Sequence, residues 1–278
     1  MENHQLKLLS CNIRKSILTA VHSANSGHPG GSLSACDAMT FLYFEEMNID
    51  PENPKNPDRD RFVLSKGHAS PALYSVLAER GFFPKEEIPT FRHFGSRLQG
   101  HPVMYVPGVD MATGSLGQGI SAANGMALAG KLDKKSYRVY TILGDGELEE
   151  GQVWEAAMFA AHYKLDNLCA FIDFNGLQID GKITDVMSPL PIDEKFKAFG
   201  WNVIVADAHD FDSLRDAAKK AKECKGKPTA VVIKSVKGKG VSFMENQASW
   251  HGSAPNDEQY AQAISEIDAQ IEDLGGAR

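Results

Sequence analysis

Cysteine is scarce and unpatterned. Only Cys11, Cys36, Cys169 and Cys224 occur in 278 residues, with no Cys-x-x-Cys pair. That spacing excludes a disulfide framework and a cysteine-built zinc site. Three of the four stand in apolar or helical settings, which implies buried, reduced thiols in a cytoplasm. Excess positive charge is missing as well. The 29 Lys and Arg are outnumbered by 36 Asp and Glu, for a net charge of −7, so no nucleic-acid surface is expected. No apolar run approaches membrane-spanning length, and the polar residues 1–7 lack the core of a signal peptide. Internal repeats and low-complexity tracts are absent too. The remainder, 42% hydrophobic and 23% charged, suits a globular chain with one large core or two modest ones.

What is present centres on residues 138–176. An apolar, β-branched run over 139–143 predicts a buried strand, and Gly144-Asp145-Gly146 then breaks the pattern as a strand-to-helix turn would. Apolar residues recur at helical spacing from Glu147 to about Lys164, and a second strand is predicted over 168–172. Such a β-α-β unit has parallel strands, so Asp145 and Asn175 emerge at the same carboxyl edge of an α/β sheet, where ligands bind. One carboxylate and one amide oxygen, thirty positions apart, make a sparse, hard oxygen site suited to Mg²⁺ shared with phosphate oxygens. Gly146, at the expected helix start, would offer free N–H groups to that phosphate.

Other glycine-rich loops flank this unit. An amphipathic helix over about 4–25 ends at SGHPGGSLS, where His28 sits in a loop and Ser32 or Ser34 could cap a helix over 35–47. A short strand over 62–65 leads through a glycine turn to His68 and a helix over 71–80. Residues 82–102 read as irregular and end on His101. The loop 113–119 has three glycines and opens a small-residue helix, so its N–H groups could approach a diphosphate. Later elements are a strand over 201–206, a helix over 213–224 capped by Asp210 or Asp212, a strand over 229–235 and a final helix over 257–274. The acids beside His209 are explained by that cap, and KGKG over 237–240 reads as a solvated turn.

Two tempting motifs fail. GQGISAANG does not fit G-x-G-x-x-G and follows no strand. The run from Gly125 to Lys131 fits G-x-x-x-x-G-K, but Leu132 stands where a P-loop needs Ser or Thr, inside a helical pattern.

Taken together, SGHPGGSLS, SKGHASPALYSVLAERG, QGHP, ATGSLGQG, GDGELEEGQVWEA, NGLQIDG and KGKGV…WHGSAPN resemble the transketolase family along essentially the whole chain. The resemblance implies the α/β thiamine-diphosphate-binding fold, a mostly parallel sheet with helices on both faces. It implies one diphosphate-binding domain over 1–278, closed by a C-terminal helix. By the same likeness Asp145, Asn175 and the carbonyl of Leu177 would hold Mg²⁺ (or Ca²⁺ or Mn²⁺). His68, Gly114, Gly146, Asn175, Ile179 and His251 would meet thiamine diphosphate, Leu116 would lie near its thiazolium, and Glu150 would lie at a subunit interface linking two active sites. His28, His68, His101 and His251 would be the catalytic histidines; of these His28, His101 and His251 would face the sugar and its reacting hydroxyls, work suited to pKa values near neutrality. Ser115 and Phe174 depart from the family pattern without touching a proposed ligand. The full-length enzymes carry a second, pyrimidine-binding domain with the glutamate that protonates the cofactor. Its absence before Arg278 implies one half of a split transketolase. Such a chain would pair with a C-terminal subunit in an α2β2 assembly and act on sugar phosphates in the pentose phosphate pathway.

Alternatives differ in class. A split transketolase could act on a branched or sulfonated sugar. 1-Deoxyxylulose-5-phosphate synthase fits ATGSLGQG and QGHP less well. A non-catalytic or regulatory paralogue would bind the cofactor without turnover, although every proposed ligand is retained. A Mg²⁺-dependent phosphatase built on Asp145 lacks a second carboxylate placed for acid catalysis.

Overall fold

Strands buried on both faces are unbroken apolar runs, and this chain supplies several. The computed structural model describes residues 1–276, so the end of the expected domain, 277–278, lies outside the described residues. The chain opens with helices α1 (Asn3–Ser23) and α2 (Pro29–Phe41), then strand β1 (Arg61–Leu64) and helices α3 (Ser70–Arg80) and α4 (Gln118–Leu132). The central unit follows as β2 (Val139–Gly144), α5 (Gly151–His162) and β3 (Leu168–Phe174). A small hairpin of β4 (Leu177–Gln178) and β5 (Gly181–Lys182) leads to α6 (Ile183–Val186) and α7 (Ile192–Ala198). Then come β6 (Asn202–Asp207), α8 (Phe211–Glu223), β7 (Thr229–Lys234) and α9 (Asp257–Asp273).

Five strands form one sheet in the order β1-β2-β3-β7-β6, with every pair parallel. Side chains alternate across it and build two cores. Tyr140, Ile142, Cys169, Phe171, Val231 and Ile233 pack with α1, α2, α3, α8 and α9. Val139, Leu143, Ala170, Ile172 and Val232 pack on the other face with α4, α5 and α7. Helices therefore cover both faces, and water reaches the central strands only at their ends. Among the described residues no helix is long and apolar enough to cross a membrane.

Several local expectations need correction. α2 begins at Pro29, six residues earlier than expected, with His28 in the cap position and proline in the first turn. Proline fits there because the first helical N–H has no partner to lose. Ser34 is thus inside the helix and caps nothing. The turn after β2 is a short 3-10 turn, Gly146–Glu149, and α5 starts only at Gly151. Asp210 does cap α8, but His209 belongs elsewhere. Its Nδ1 pairs with the buried Asp37 at 2.7 Å and its Nε2 accepts the N–H of Val236 at 3.0 Å.

Candidate functional site

Four adjacent strands end at one edge, and each end delivers chemistry. Lys66 and His68 follow β1, Asp145 follows β2, Asn175 follows β3 and Lys237 lies shortly beyond β7. Gly144 is in register with Asp173, so the Asp145 and Asn175 turns are neighbours. The N–H of Gly176 donates to Asp145 Oδ2 at 2.6 Å, and the N–H of Gly146 donates to Asp145 Oδ1 at 2.8 Å. The Gly146 N–H is therefore engaged by the carboxylate beside it, not free as expected. Asn175 Oδ1 accepts the N–H of Leu177 at 3.1 Å.

These turns enclose a cavity of about 430 Å³, lined by His28, His68, Gly114, Leu116, Asp145, Gly146, Glu150, Asn175, Leu177, Ile179 and His251. Ile179 and Glu150 are exposed and form its rim. His101 stands apart. It is exposed and backs onto Gly114, where an added Cβ would meet its ring at 3.3 Å. The loop before α4 is held close by a buried acid. Glu147 accepts the N–H of Gly117 at 2.9 Å and that of Gly144 at 3.0 Å. Gly117 turns there with φ +80°, and a Cβ would come within 2.9 Å of Glu150; only glycine suits that position.

Three imidazoles converge above this floor. Ring centroids of His28, His68 and His251 are 5.2 to 5.5 Å apart. They do not titrate near neutrality as expected. Burial lowers His28 to about 4, helped by Arg92, His101 and Lys237. Burial lowers His251 to about 3, helped by Lys237 and His28. Burial and then Lys66 hold His68 well below its ordinary value. All three are neutral at physiological pH, so each offers one donor and one acceptor.

The largest surprise is a pair of buried lysines. Lys66 and Lys237 are each 1% exposed. Lys66 Nζ donates to Asp173 Oδ2 at 2.5 Å and to the carbonyl of Gly31 at 2.9 Å. Asp173 also accepts from Ser34 Oγ at 2.6 Å and from Ser235 Oγ. Burial alone would raise that carboxyl, but Lys66 and the hydroxyls hold it low. Lys237 is no solvated turn. Its Nζ donates to the carbonyl of Leu177 at 3.2 Å and meets His251 Nδ1 at 3.1 Å. Burial and Lys66 push it down to about 8. Asp145 moves the other way, raised to about 6 by burial and by Asp173. A signal existed for Asp173, since a carboxylate inside the run LCAFIDF must find a partner.

The donor set can be matched to ligands. No three His, Cys, Asp or Glu side chains converge as a metal cage among the described residues. A cation here would rest on the Asp145 carboxylate with the Asn175 amide and Leu177 carbonyl oxygens, hard donors that leave room for ligand phosphates. Two buried ammonium groups and a glycine-lined wall suit a phosphate-rich anion, and neutral histidines suit sugar hydroxyls. A buried acid raised to about 6 beside two buried cations fits a bound cation and polyanion together.

Residues 7–270 match the family model described as transketolase, thiamine diphosphate binding domain. The chain is 46% identical over 259 residues to the 6-deoxy-6-sulfo-D-fructose transketolase subunit SqwG of Clostridium sp. (strain MSTE9), covering 93% of this chain and 94% of that protein. It is 43% identical over 274 residues to one of the subunits of the apulose-4-phosphate transketolase of Phocaeicola vulgatus, covering 99% of this chain and 98% of that protein. Human transketolase is 45% identical over 276 residues, 96% of this chain but 42% of that protein. A crystal structure of transketolase from Campylobacter jejuni superposes with a TM-score of 0.90 at 31% identity, over 99% of this chain and 43% of that one.

Proposed function

The chain belongs to the transketolase family, and from that premise we propose that it is the diphosphate-binding subunit of a two-chain transketolase. The reaction is transfer of a two-carbon ketol unit from a ketose phosphate to an aldose. The carrying observation is one cavity that gathers an acid, an amide and a carbonyl oxygen with two buried lysines and three neutral histidines. Near-complete coverage of two proteins named as transketolase subunits supports the two-chain reading. The partner is a C-terminal subunit bearing the pyrimidine-binding domain, assembled as α2β2, and this chain is a single diphosphate-binding domain. Free, largely buried cysteines support a cytoplasmic location.

Thiamine diphosphate, when bound, supplies the electron sink for breaking and forming the sugar carbon–carbon bond. Asp145, Asn175 and the carbonyl of Leu177 hold the divalent ion, Mg²⁺ or else Ca²⁺ or Mn²⁺. His68, Gly114, Gly146, Ile179 and His251 contact the cofactor, Lys237 neutralises diphosphate charge, and Leu116 and Glu150 bound its pocket. His28, His101 and His251 face the sugar, where a neutral imidazole can accept a hydroxyl proton and return it. The substrate is a phosphorylated sugar or, as the names of the two relatives suggest, a branched or sulfonated one.

The test is ketol transfer from xylulose-5-phosphate to ribose-5-phosphate, and from a sulfonated and a branched ketose, with and without the C-terminal subunit. Turnover that needs both chains, Mg²⁺ and thiamine diphosphate is expected with at least one donor. Full turnover by this chain alone would refute the two-chain reading.

A further inference from the structure

Arg92 lies outside the cavity lining and is unusual on several counts. Its φ is 60°, a left-handed conformation that a non-glycine residue keeps only where its surroundings impose it. Its N–H donates to the carbonyl of Leu98 at 2.8 Å. Guanidinium NH1 donates to Ser26 Oγ at 2.5 Å, two residues before His28. The same group lies against Gly100, one residue before His101, where an added Cβ would come within 2.7 Å of Nε. Its carbon sits 5.3 Å from the ring centroid of Phe91. Nε is buried with no hydrogen-bond partner, and so is Nδ1 of His28. An unpaired buried donor on a cation is costly, and a neutral side chain would join two loops at less expense. The position has a use for charge.

We propose that Arg92 is a positioning residue for the sugar chemistry: one guanidinium ties the loop carrying His28 to the loop carrying His101 and places a permanent positive charge behind both rings. The inference rests on the reading of these histidines as sugar-facing. Arg92 follows burial among the causes that lower both His28 and His101. His28 also faces His101, Lys237, His68 and His251, whereas His101 feels only burial and Arg92. Tyr74 meets His101 at its backbone carbonyl, at 2.8 Å. With the charge in place both imidazoles stay neutral, each keeping a ring nitrogen as hydrogen-bond acceptor for a sugar hydroxyl.

Titration of the histidine ring protons of the full chain by NMR, assigned with His28→Gln and His101→Gln, tests this directly. In Arg92→Gln the titrations of His28 and His101 rise by about one pH unit, roughly tenfold in proton affinity, while His68 and His251 stay in place. Unmoved titrations of His28 and His101, or an equal shift of all four, would overturn the proposal. Arg92→Lys covers the case in which Arg92→Gln does not fold. It keeps both titrations low, and with the C-terminal subunit it lowers kcat/KM for sugar while leaving thiamine diphosphate affinity unchanged. Equal losses in both would show a scaffold role only and reject the idea. Failure of wild type with its partner to transfer ketol units would sink the transketolase reading, yet the ring titrations would still decide Arg92.

Discussion

Two buried ionic clusters flank the carboxyl edge of the sheet, and they behave in opposite ways. Behind the Lys237 loop, Arg14 NH2 donates to Asp37 Oδ2 at 2.6 Å and Arg14 Nε to the carbonyl of Lys239 at 3.1 Å, while His209 completes the set. There Asp37 is driven far down, because Arg14 and His209 outweigh the burial that would raise it, and Arg14 is driven up by Asp37 against the pull of burial. Arg14 and Asp37 are thereby held as a charged pair. Around the cavity the shifts run toward neutrality except at Asp173, which Lys66 holds charged: Asp145 goes up to about 6, Lys237 down to about 8, His28 down to about 4. The first cluster is a finished structure, satisfied internally. The second is under-compensated and gains from bound charge, the pattern expected where a site is built for ligands.

Breaking the finished cluster should cost the most. Asp37→Ala leaves Arg14 buried without its partner and should lower stability by about 3–5 kcal/mol in chemical denaturation, with cofactor affinity per folded molecule little changed. The corresponding change in the cavity should show itself in the pH dependence of stability. The folded pKa of Asp145, about 6, lies above its ordinary 3.8. The folded form therefore binds more protons than the unfolded one between those values, and that contribution is lost as pH rises through about 6. Asp145→Asn should then abolish the loss of about 1–3 kcal/mol that the ligand-free wild type shows between pH 4 and pH 7, although its amide oxygen replaces only one of the two backbone hydrogen bonds that the carboxylate accepts. Equal destabilisation by Asp37→Ala and Asp145→Asn would erase the contrast between the clusters. The smallest effect sharpens it. Lys237→Met should leave stability near wild type but weaken thiamine diphosphate binding about tenfold by calorimetry, with a shallower dependence on salt. Unchanged affinity would make Lys237 part of the scaffold.

The same contrast explains what could be read from residues alone. β2 and β3 are legible because strands buried on both faces are largely apolar, here with only Thr141 and Asp173 as buried polar exceptions, so Gly144-Asp145-Gly146 and Asn175 stand out at their ends. Polar groups buried inside the fold were not legible. Lys66 and Lys237 sit in Lys-Gly turns that usually face water, and only neighbouring strand ends reveal that they converge on Asp173 and Leu177. α2 starts six residues before its expected position because Pro29-Gly30-Gly31 has the composition of a loop. Those glycines are helical because the helix packs tightly; a Cβ at Gly30 would come within 2.7 Å of the carbonyl of Trp250. Of the two acids expected to cap α8, Asp210 does so, but the role of His209 depends on Asp37, 172 positions away.

The most direct test of the account is Mn²⁺ binding, followed by electron paramagnetic resonance, to the assembled two-chain protein with thiamine diphosphate. Wild type should take up one tightly held ion per diphosphate-binding chain only when the cofactor is present, and Asp145→Asn should weaken that binding at least about 100-fold while remaining folded. Equal Mn²⁺ affinity in the two proteins would contradict the assignment of this sheet edge as the metal–diphosphate site.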